Sequence, residues 1–579
     1  MEASSDQIVQ AIYTTLRGYI ALLPNYDTKT RYCIEVYKPT EAFEEAYGKT
    51  VVDLESLKLE EQHLRANPVK CVMLSPQGAL SDADAGQTLI VVFGIPPRPS
   101  TTLTLSDMFL RLKIVDEAPS RVSQPESYKA LQSQSEQRNL DDRPSADRFI
   151  PPISLLYDGF GVFEDVRRGI KVLGEDDILE GQLWGKVNAF VDRMAEFYDS
   201  EAERRADVVH HLEEMFHARK DPSKIGACHI TSDGHLNGAH EAMVFCVECK
   251  NELSNISCEP SAELVSYVAS SFKEQLRGKH RALFHAWRVP ALGMTQIGPF
   301  VQFFGIVMLA PQMRVVHLTP MLPLAIPTDD EQSLRNIFLA FKAASIVVAK
   351  IQADVRRLLQ ETTLPEIPLE SRELPSVTDI EAPHTSASPS RIKFTLVGRY
   401  DQEVVYRNLY HARLDPTNEE IYVKFTRQYS RELHVFCAKR GLAPELLGFE
   451  RLTGGWFALA MKKVDIVEPW KIQSFPELET WKKEIRQLVK DFHQEGLVHG
   501  DLRLANFIFT EGESPRRMLL IDFDWGGKAG EVFFPPGQLV EDLKVQDDRL
   551  DRPITKEHDD RVLAGAFTRL DQLVAFKTR

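Results

Sequence analysis

Residues 493–527, HQEGLVHGDLRLANFIFTEGESPRRMLLIDFDWGG, decide the fold predicted for the last third of the chain. Two short apolar runs flank a polar loop there and predict a β-hairpin. The hairpin would bring Asp501, Asn506 and Asp522 into one cleft. Phosphoryl transfer needs such a set, with a carboxylate near the acceptor hydroxyl and oxygen ligands for Mg²⁺ on the phosphates. The spacing therefore predicts a phosphoryl-transfer site, in preference to unrelated acids in surface loops.

The composition describes a multidomain globular protein with an excess of acid. The chain has 579 residues, of which 43% are hydrophobic and 26% charged, and its formal net charge is −15. That length predicts about three or four domains. The negative charge disfavours a protein that coats nucleic acid, although a local basic cleft is compatible with it.

Three features predict an intracellular protein, in the cytoplasm or the nucleus. The seven cysteines are odd in number and irregularly spaced, as expected in a reducing compartment. The first residues, MEASSDQIVQ, lack the basic and then apolar order of a signal peptide. The most apolar region, 296–327, is interrupted by polar residues and prolines, so we expect no membrane span and no membrane partner.

Changes in composition divide the chain into mixed α/β and α+β parts with two connections. Helical and strand patterns cover the parts, whereas prolines and polar residues mark the connections. The predicted divisions are a small α/β unit at 1–115, a polar linker at 116–149, an α/β unit at 150–360, a proline- and serine-rich linker at 361–391, and a two-lobed unit with a short second lobe at 392–579.

A predicted strand at 242–250 ends in charged residues. Alternation places Glu248 and Lys250 on one face, and Asp233 precedes the strand in a turn-like stretch. Burial of such charges is costly unless they have a partner or a task. Two carboxylates beside a lysine could hold Mg²⁺ or Mn²⁺ and position a water molecule. The alternative is an ion pair at the surface end of the strand.

Cys246 and Cys249 form a CxxC pair in the same strand. One interpretation is a zinc site, and the other is a pair of buried or half-buried thiols. In a regular strand the two thiols point to opposite faces, and no second CxxC follows in the sequence. We therefore expect buried thiols without zinc.

The residues before the hairpin have the order of a nucleotide-binding lobe. Lys424 lies in a predicted strand, and Glu432 begins a helical pattern from which it could pair with the lysine. A lysine in such a strand neutralises nucleotide phosphates. Met461 marks an apolar connection that would hold adenine. Gly398 is the one glycine in the loop expected to cover the phosphates.

The segments HGDLRLAN (499–506), IDFDWGGKAGEV (521–532) and ITKEHD (554–559) resemble the fungal-type protein kinase family. They are similar, more distantly, to aminoglycoside phosphotransferases and lipopolysaccharide kinases. The resemblance implies a bilobal protein-kinase-like fold that uses ATP and Mg²⁺. It also implies roles for six residues: Asp501 as base or acceptor-positioning acid, Arg503 as stabiliser of the transferring phosphoryl group, Asn506 and Asp522 as Mg²⁺ ligands, Lys424 as phosphate ligand, and Glu432 as its orienting partner.

Three positions need separate interpretation against this family. Gly500 replaces the arginine of the common HRD motif, so a phosphorylated activation loop would lack that partner. Asp524 replaces the glycine of DFG and could supply another carboxylate to the metal. Asp559, at the start of a helical pattern, either anchors the backbone of the catalytic loop or caps its own helix.

The segments ECKNELS and SAELVSYVASSF around the acidic strand resemble the PD-(D/E)XK nuclease-like superfamily, as it occurs in fungal proteins that also end in a kinase-like domain. The resemblance implies that Asp233, Glu248 and Lys250 form the site of that domain. It also implies an additional helix acid, Glu213 or Glu214.

The combination of a nuclease-like and a kinase-like domain is an architecture of crinkler-type proteins. GKTVVDLESLK and QTLIVVFGIPP, within 1–115, are similar to the end of the ubiquitin-like header of those proteins. The patterns in this unit predict a helix at 8–23 and strands at 32–37 and 88–93.

We therefore expect an ATP- and Mg²⁺-dependent phosphotransferase, interpreted first as an atypical protein kinase that acts on serine or threonine hydroxyls. One alternative is a pseudokinase that binds nucleotide and regulates a metal-dependent nuclease-like domain. Another is a small-molecule kinase of the aminoglycoside-phosphotransferase type. The expected partners are a protein substrate and, through the middle unit, nucleic acid, and the sequence leaves the oligomeric state open.

Overall fold

The computed structural model describes most of the chain after residue 104 and three short strands before it. The chain divides into two compact units, 1–104 and 105–579. The described residues are 34–39, 71–73, 90–93, 105–134, 136–141, 150–170, 177–216, 232–253, 258–309, 312–327, 329–382, 390–400, 408–467, 476–511, 515–534, 543 and 553–577.

The first unit contributes a three-stranded antiparallel sheet in the order β2-β1-β3. Its strands are β1 (Ile34–Pro39), β2 (Cys71–Met73) and β3 (Ile90–Phe93). β1 and β3 overlap the two strands predicted in this unit. The predicted helix at 8–23 lies outside the described residues, and the ubiquitin-like resemblance stays a prediction.

Four short helices begin the second unit. They are α1 (Leu105–Phe109), α2 (Lys113–Asp116), α3 (Pro119–Val122) and α4 (Pro125–Gln132). Proline at the first position suits the start of α3 and of α4, because an N–H there would have no intrahelical partner. Val122, Tyr128 and Leu131 are buried in a hydrophobic core. This part therefore differs from the polar linker predicted at 116–149, since its apolar residues have a core to enter.

The middle of the chain forms a sheet that helices cover on both faces. The strand order is β4-β5-β6-β7-β8, with β9 paired to β7; β5 and β6 are parallel and the other pairs antiparallel. The helices are α5 (Ile153–Leu156), α6 (Asp158–Arg167), α7 (Asp177–Met194), α8 (Glu201–Phe216), α9 (Pro260–Arg277), α10 (Arg281–Ala286) and α11 (Glu331–Gln360). The strands are β4 (Gly234–Asn237), β5 (Met243–Lys250), β6 (Ala291–Ile297), β7 (Phe300–Met308), β8 (Met313–His317) and β9 (Leu322–Pro323).

The two faces of this sheet belong to separate cores. One core is formed with α6, α7, α8 and α11 and contains Cys249. The other is formed with α1 to α4, α9 and α10 and contains Cys246. The two thiols therefore point to opposite faces, as the alternation predicted, and burial raises the pKa of both.

The segment after α11 is packed onto the middle sheet by two buried arginines. Arg372, in a 3₁₀ helix at Leu369–Glu373, donates to four backbone carbonyls, those of Phe284, His285, Trp287 and Met308. Arg288 donates in return to the carbonyls of Ser371, Arg372 and Leu374. Burial, with the charge of Arg288, lowers the pKa of Arg372 to about 9. This segment is therefore part of a packed unit, which differs from the linker predicted at 361–391.

A second six-stranded sheet follows, with all neighbours antiparallel in the order β10-β11-β12-β13-β15-β14. Its strands are β10 (Asp379–Glu381), β11 (Arg391–Arg399), β12 (Leu409–Asp415), β13 (Glu420–Thr426), β14 (Leu446–Arg451) and β15 (Phe457–Lys462). Helix α12 (Arg431–Ala438) follows β13, and Ser430 Oγ accepts the Leu433 N–H at its start. This order agrees with the nucleotide-binding lobe predicted from the sequence.

The last part packs two long helices, α13 (Leu478–Gln494) and α14 (Lys556–Lys577), against short strands. The strands are β16 (Ile466–Val467), β17 (Leu497–Val498), β18 (Phe507–Thr510), β19 (Met518–Leu520) and β20 (Gly527–Lys528). β18 and β19 form the predicted antiparallel hairpin. Across the described part of the chain, none of the helices combines the length and apolarity needed to cross a membrane.

Helices α5 and α6 dock on the turn between β14 and β15. Three hydrogen bonds join them: Thr453 Oγ1 to the Asp158 carbonyl at 3.1 Å, the Gly454 N–H to Asp165 at 2.9 Å, and Trp456 Nε1 to Ser154 at 3.0 Å. An ion pair of 2.9 Å between Arg427 and Glu164 lies in the same contact. Gly161 permits the close approach, because a Cβ there would lie 2.3 Å from Thr453 Oγ1 and 2.9 Å from the Thr453 carbonyl carbon.

We expect Gly161→Ala to lower the free energy of unfolding by about 1–3 kcal/mol, because the added methyl group overlaps backbone atoms of the turn. Gly185→Ala is the matched control, since Gly185 also lies in a helix but has open space around its Cβ position. The control should stabilise the protein by up to about 1 kcal/mol. Urea unfolding followed by tryptophan fluorescence measures both, and equal stability of the two variants would contradict the docking contact.

Candidate active site

The loop between β17 and β18, predicted to be the catalytic loop, is anchored by Asp559 of α14. Asp559 Oδ2 accepts the His499 N–H at 2.7 Å, and Oδ1 accepts the Gly500 N–H at 2.8 Å. His493 Nε2 lies 3.3 Å from the same carboxylate. Asp559 is fully buried and lies inside its helix. These contacts confirm that Asp559 anchors the loop, in preference to the interpretation as a cap of its own helix.

Gly500 has a packing reason to be glycine. Its φ is +82°, which disfavours residues with a Cβ. A Cβ there would lie 2.8 Å from Ile554 Cδ1 and 3.1 Å from Trp525 Cβ. The arginine of the common motif therefore has no room at this position, because the tryptophan after the IDFD motif packs against it.

Asp501 and Asn506 lie in the same loop and are both buried. Arg503 holds the Asp501 carboxylate through Nε at 2.5 Å and Nη2 at 2.7 Å. Asn506 Nδ2 donates to the Asp501 carbonyl at 2.9 Å. The Ile521 N–H donates to the Asn506 carbonyl at 3.0 Å, which brings the residue before Asp522 against the loop. The fold thus gathers the three predicted residues, while the predicted contact of Arg503 with a phosphoryl group stays a prediction.

Asp522 has a left-handed backbone, with φ 68° and ψ 64°. Such a conformation costs about 1 kcal/mol or more in a residue other than glycine, and it is commonest at functional sites. Asp522 Oδ1 lies 2.5 Å from Lys424 Nζ. The lysine on β13 is therefore joined to the acid that follows the hairpin.

Asp524 is the second partner of Lys424, at 2.6 Å from its Nζ, and Thr426 Oγ1 donates to the other Asp524 oxygen at 3.2 Å. Burial alone would lower the pKa of Lys424, but the charges of Asp522 and Asp524 outweigh it and the pKa is raised. Burial raises the pKa of Asp524 against the opposing effect of Lys424. The lysine is therefore held as a cation in the cleft.

The predicted pair of Lys424 and Glu432 is not formed among the described residues. Glu432 lies in the first turn of α12 with an exposed side chain, whereas the buried face of that helix carries Leu433, His434 and Cys437. The His434 ring stacks on Phe523, with centroids 4.6 Å apart and an interplanar angle of 12°. Burial lowers the pKa of His434 to about 4, so the ring is neutral. The helix therefore holds the DFD segment by stacking, and its glutamate faces solvent.

Gly398 and Met461 lie where the order of the lobe predicted them, and their contacts with nucleotide stay predictions. Gly398 is in β11 beside a register shift in the pairing with β12, and a Cβ there would meet open space. Met461 is half-buried in β15, paired with Tyr422 on one side and Leu446 on the other.

The residues around the hairpin fit a divalent cation. Asn506 Oδ1 is buried and has no hydrogen-bond partner among the described residues. A buried acceptor of this kind is rare unless a ligand or water completes it. Amide and carboxylate oxygens are the ligands that Mg²⁺ prefers. Asn506 and Asp522 would therefore hold the ion.

The second predicted set, in the middle sheet, is also brought together. Lys250 Nζ lies 2.5 Å from Glu248 Oε1 and 3.3 Å from Glu263 Oε2. Asp233 accepts the Cys249 N–H at 2.7 Å and an Arg205 N–H at 3.0 Å. Glu248 is 2% exposed, and burial with the charges of Asp233 and Glu263 raises its pKa. Groups of three or more His, Cys, Asp or Glu side chains suited to a metal ion do not occur among the described residues.

The described contacts do not join the predicted additional helix acid, Glu213 or Glu214, to this set. Glu214 forms an ion pair with His210 on the helix surface, at 3.8 Å, and Glu213 lies beside it in sequence. Glu201 is the first residue of α8. Burial raises its pKa; among the nearby charges, Lys250 lowers the pKa and Asp233 raises it. Glu263 on α9 was missed, although its place at the start of the helix that follows the acidic strand was a usable signal.

A match to a family model agrees with a kinase-like site. The model of the lipopolysaccharide kinase (Kdo/WaaP) family matches residues 475–535, which span α13, the catalytic loop, the hairpin and Asp522. Among solved structures, the chain is similar to the kinase PK-1 of Cydia pomonella granulovirus, with 15% identity and a TM-score of 0.25 over 31% of this chain and 70% of that chain. No curated protein matches the sequence. The family match supports a kinase-like phosphotransferase.

We expect Asp559→Asn to lower the free energy of unfolding by about 2–3 kcal/mol, because the buried carboxylate accepts two backbone N–H groups and the amide cannot replace both bonds. Asp560→Asn is the matched control, since Asp560 is the next residue in the sequence and its side chain is exposed. Denaturant unfolding compares the two variants. An Asp559→Asn protein as stable as the control would contradict the anchoring role.

Proposed function

We propose that the C-terminal part of the chain is an ATP- and Mg²⁺-dependent phosphotransferase. The observation that carries the proposal is the buried Asn506 Oδ1, which has no hydrogen-bond partner in the described part of the chain. Asn506 lies in the loop that also carries Asp501, and its carbonyl accepts from the residue before Asp522. Lys424 supplies the cation that nucleotide phosphates need, and it contacts Asp522 directly. The match of residues 475–535 to a kinase family supports the same class.

Each residue then has a chemical task. Asp501 accepts the proton of the acceptor hydroxyl, and Arg503 holds its carboxylate in one orientation through two hydrogen bonds. Lys424 binds phosphate oxygens. Bound Mg²⁺, held by Asn506 and Asp522, would neutralise phosphate charge.

Protein serine and threonine hydroxyls are the acceptors that we propose first, as the resemblance to fungal-type protein kinases implies. A carbohydrate or other small-molecule hydroxyl is the alternative, because the family that matches residues 475–535 is named for lipopolysaccharide kinases. Transfer of labelled phosphate from ATP to casein or to the protein itself supports the first class. Transfer only to small sugars supports the second, and nucleotide binding without transfer supports a pseudokinase.

Asp522→Asn and Asp501→Asn should each reduce ATP turnover by about 10²–10⁴-fold, because the first removes a metal ligand and the second the proton acceptor. Asp491→Asn, on the outer part of α13, is the control and should retain full activity. Turnover is measured by ADP release at saturating ATP and Mg²⁺, with melting temperature as a check on folding. Unchanged turnover in Asp522→Asn would remove the catalytic proposal.

A second candidate function, a metal-dependent nuclease, belongs to the middle sheet. The observation that favours it is Glu248 Oε2, which is buried without a hydrogen-bond partner among the described residues, beside Lys250 and near Asp233. This is the arrangement that the PD-(D/E)XK resemblance implies. Together with the C-terminal part, it supports the proposed crinkler-like architecture.

Lys250→Ala should abolish DNA cleavage in Mg²⁺ or Mn²⁺, because the lysine that would position the attacking water is lost. Glu203→Gln, at an exposed position of α8, should leave cleavage unchanged. Cleavage of linear and supercoiled DNA is followed on gels with each ion. The nuclease proposal fails if the native protein cuts with neither ion.

A further inference from the structure

The partners of Lys424 come from one loop of the C-terminal lobe. Its Nζ lies 2.5 Å from Asp522 Oδ1 and 2.6 Å from Asp524 Oδ1. Both acids are partly buried, and the lysine is more buried than either. Two carboxylates around one ammonium group leave a net negative charge. If Asp522 also ligates a metal ion, the other acid, Asp524, has to keep a fixed position so that Lys424 stays in place to bind phosphate.

Asp524 has contacts at both of its oxygens. Its Oδ1 binds Lys424, and its Oδ2 lies 3.2 Å from Thr426 Oγ1, a hydroxyl that is shared with the Gln428 carbonyl at 3.0 Å. Lys424 and Thr426 are two residues apart on β13, so alternation places them on the same face of the sheet. One strand therefore binds both oxygens of this carboxylate.

Helix α12 does not supply such a carboxylate. Its Glu432 is exposed, and its inward face meets the DFD segment through His434 on Phe523. The Tyr429 hydroxyl lies 2.7 Å from His434 Nδ1, and His434 Nε2 donates to the Pro444 carbonyl at 2.8 Å. These two contacts fix the ring, so the helix sets the place of Phe523 and, through the chain, of the aspartate that follows it.

We propose that Asp524 is the positioning residue for Lys424 and does not ligate the metal. This inference rests on the proposed phosphotransferase function and extends it. Asp524, the residue after Phe523, takes the role of orienting Lys424 that was predicted for Glu432 of α12. Asn506 and Asp522 then form the metal side of the cleft, and Lys424 with Asp524 and Thr426 forms the phosphate side.

A double-mutant cycle tests the proposal, with MgATP binding measured by calorimetry on the full-length protein. Asp524→Asn should weaken MgATP binding about tenfold in the native background. In a Lys424→Met background the same change should have less than a twofold effect, because a residue that acts through the lysine has nothing left to position. A tenfold effect in both backgrounds would overturn the proposal.

Two further measurements separate the metal role from the positioning role. The Mg²⁺ concentration for half-maximal ATP turnover should stay within twofold of the native value in Asp524→Asn, whereas a metal ligand would raise it about tenfold. Glu432→Gln should leave both MgATP affinity and turnover unchanged, and a loss equal to that of Asp524→Asn would overturn the assignment. If the native protein binds no MgATP, the phosphotransferase function itself is overturned. If the native protein binds MgATP and Asp524→Asn binds it equally well, only the positioning role of Asp524 is overturned.

Discussion

One lysine between two carboxylates joins the two lobes of the candidate site. Lys424 belongs to the six-stranded sheet, and Asp522 and Asp524 follow the hairpin of the C-terminal lobe. A buried cation without such partners would be strongly destabilising, so the sheet and the loop must meet where these charges meet. The contact between the sheet and the loop is thus made by the groups that we propose for nucleotide and metal binding. Asp559 completes the arrangement by holding the catalytic loop to α14.

The sheet that carries Lys424 has contacts beyond its own predicted boundary in the sequence. Its edge strand β10 comes from the proline-rich segment, and α5 and α6 of the middle part dock on the turn before β15. Arg427 stands three residues after Lys424 and pairs with Glu164 of α6. The middle part therefore supports the strand that carries Lys424. Arg288 and Arg372 stabilise the connection through backbone carbonyls alone, which makes it part of the fold and not a tether.

The sequence allowed the hairpin, the order of strands and helix around Lys424, and the residues of the catalytic loop to be predicted, because each rests on local spacing. It did not reveal the partner of Lys424, since that depends on how α12 is rotated against the sheet. With Ser430 as its cap, the helix turns Leu433 and His434 inward and leaves Glu432 outside. The packed connection was missed for a related reason. The partners of Arg372 are carbonyl oxygens about 64–88 residues away. Every residue has a backbone carbonyl group, so the sequence does not indicate which of them an arginine contacts.

The two departures from the common kinase motifs have one structural explanation. Trp525 packs against Gly500, which removes the space for an arginine, and Asp524 in the same segment supplies the carboxylate that Lys424 needs. Asp501 likewise takes its partner from its own loop, in Arg503. Lys424 and Asp501 thus each have an oppositely charged partner close to them in the fold, so the described contacts form without an added phosphate.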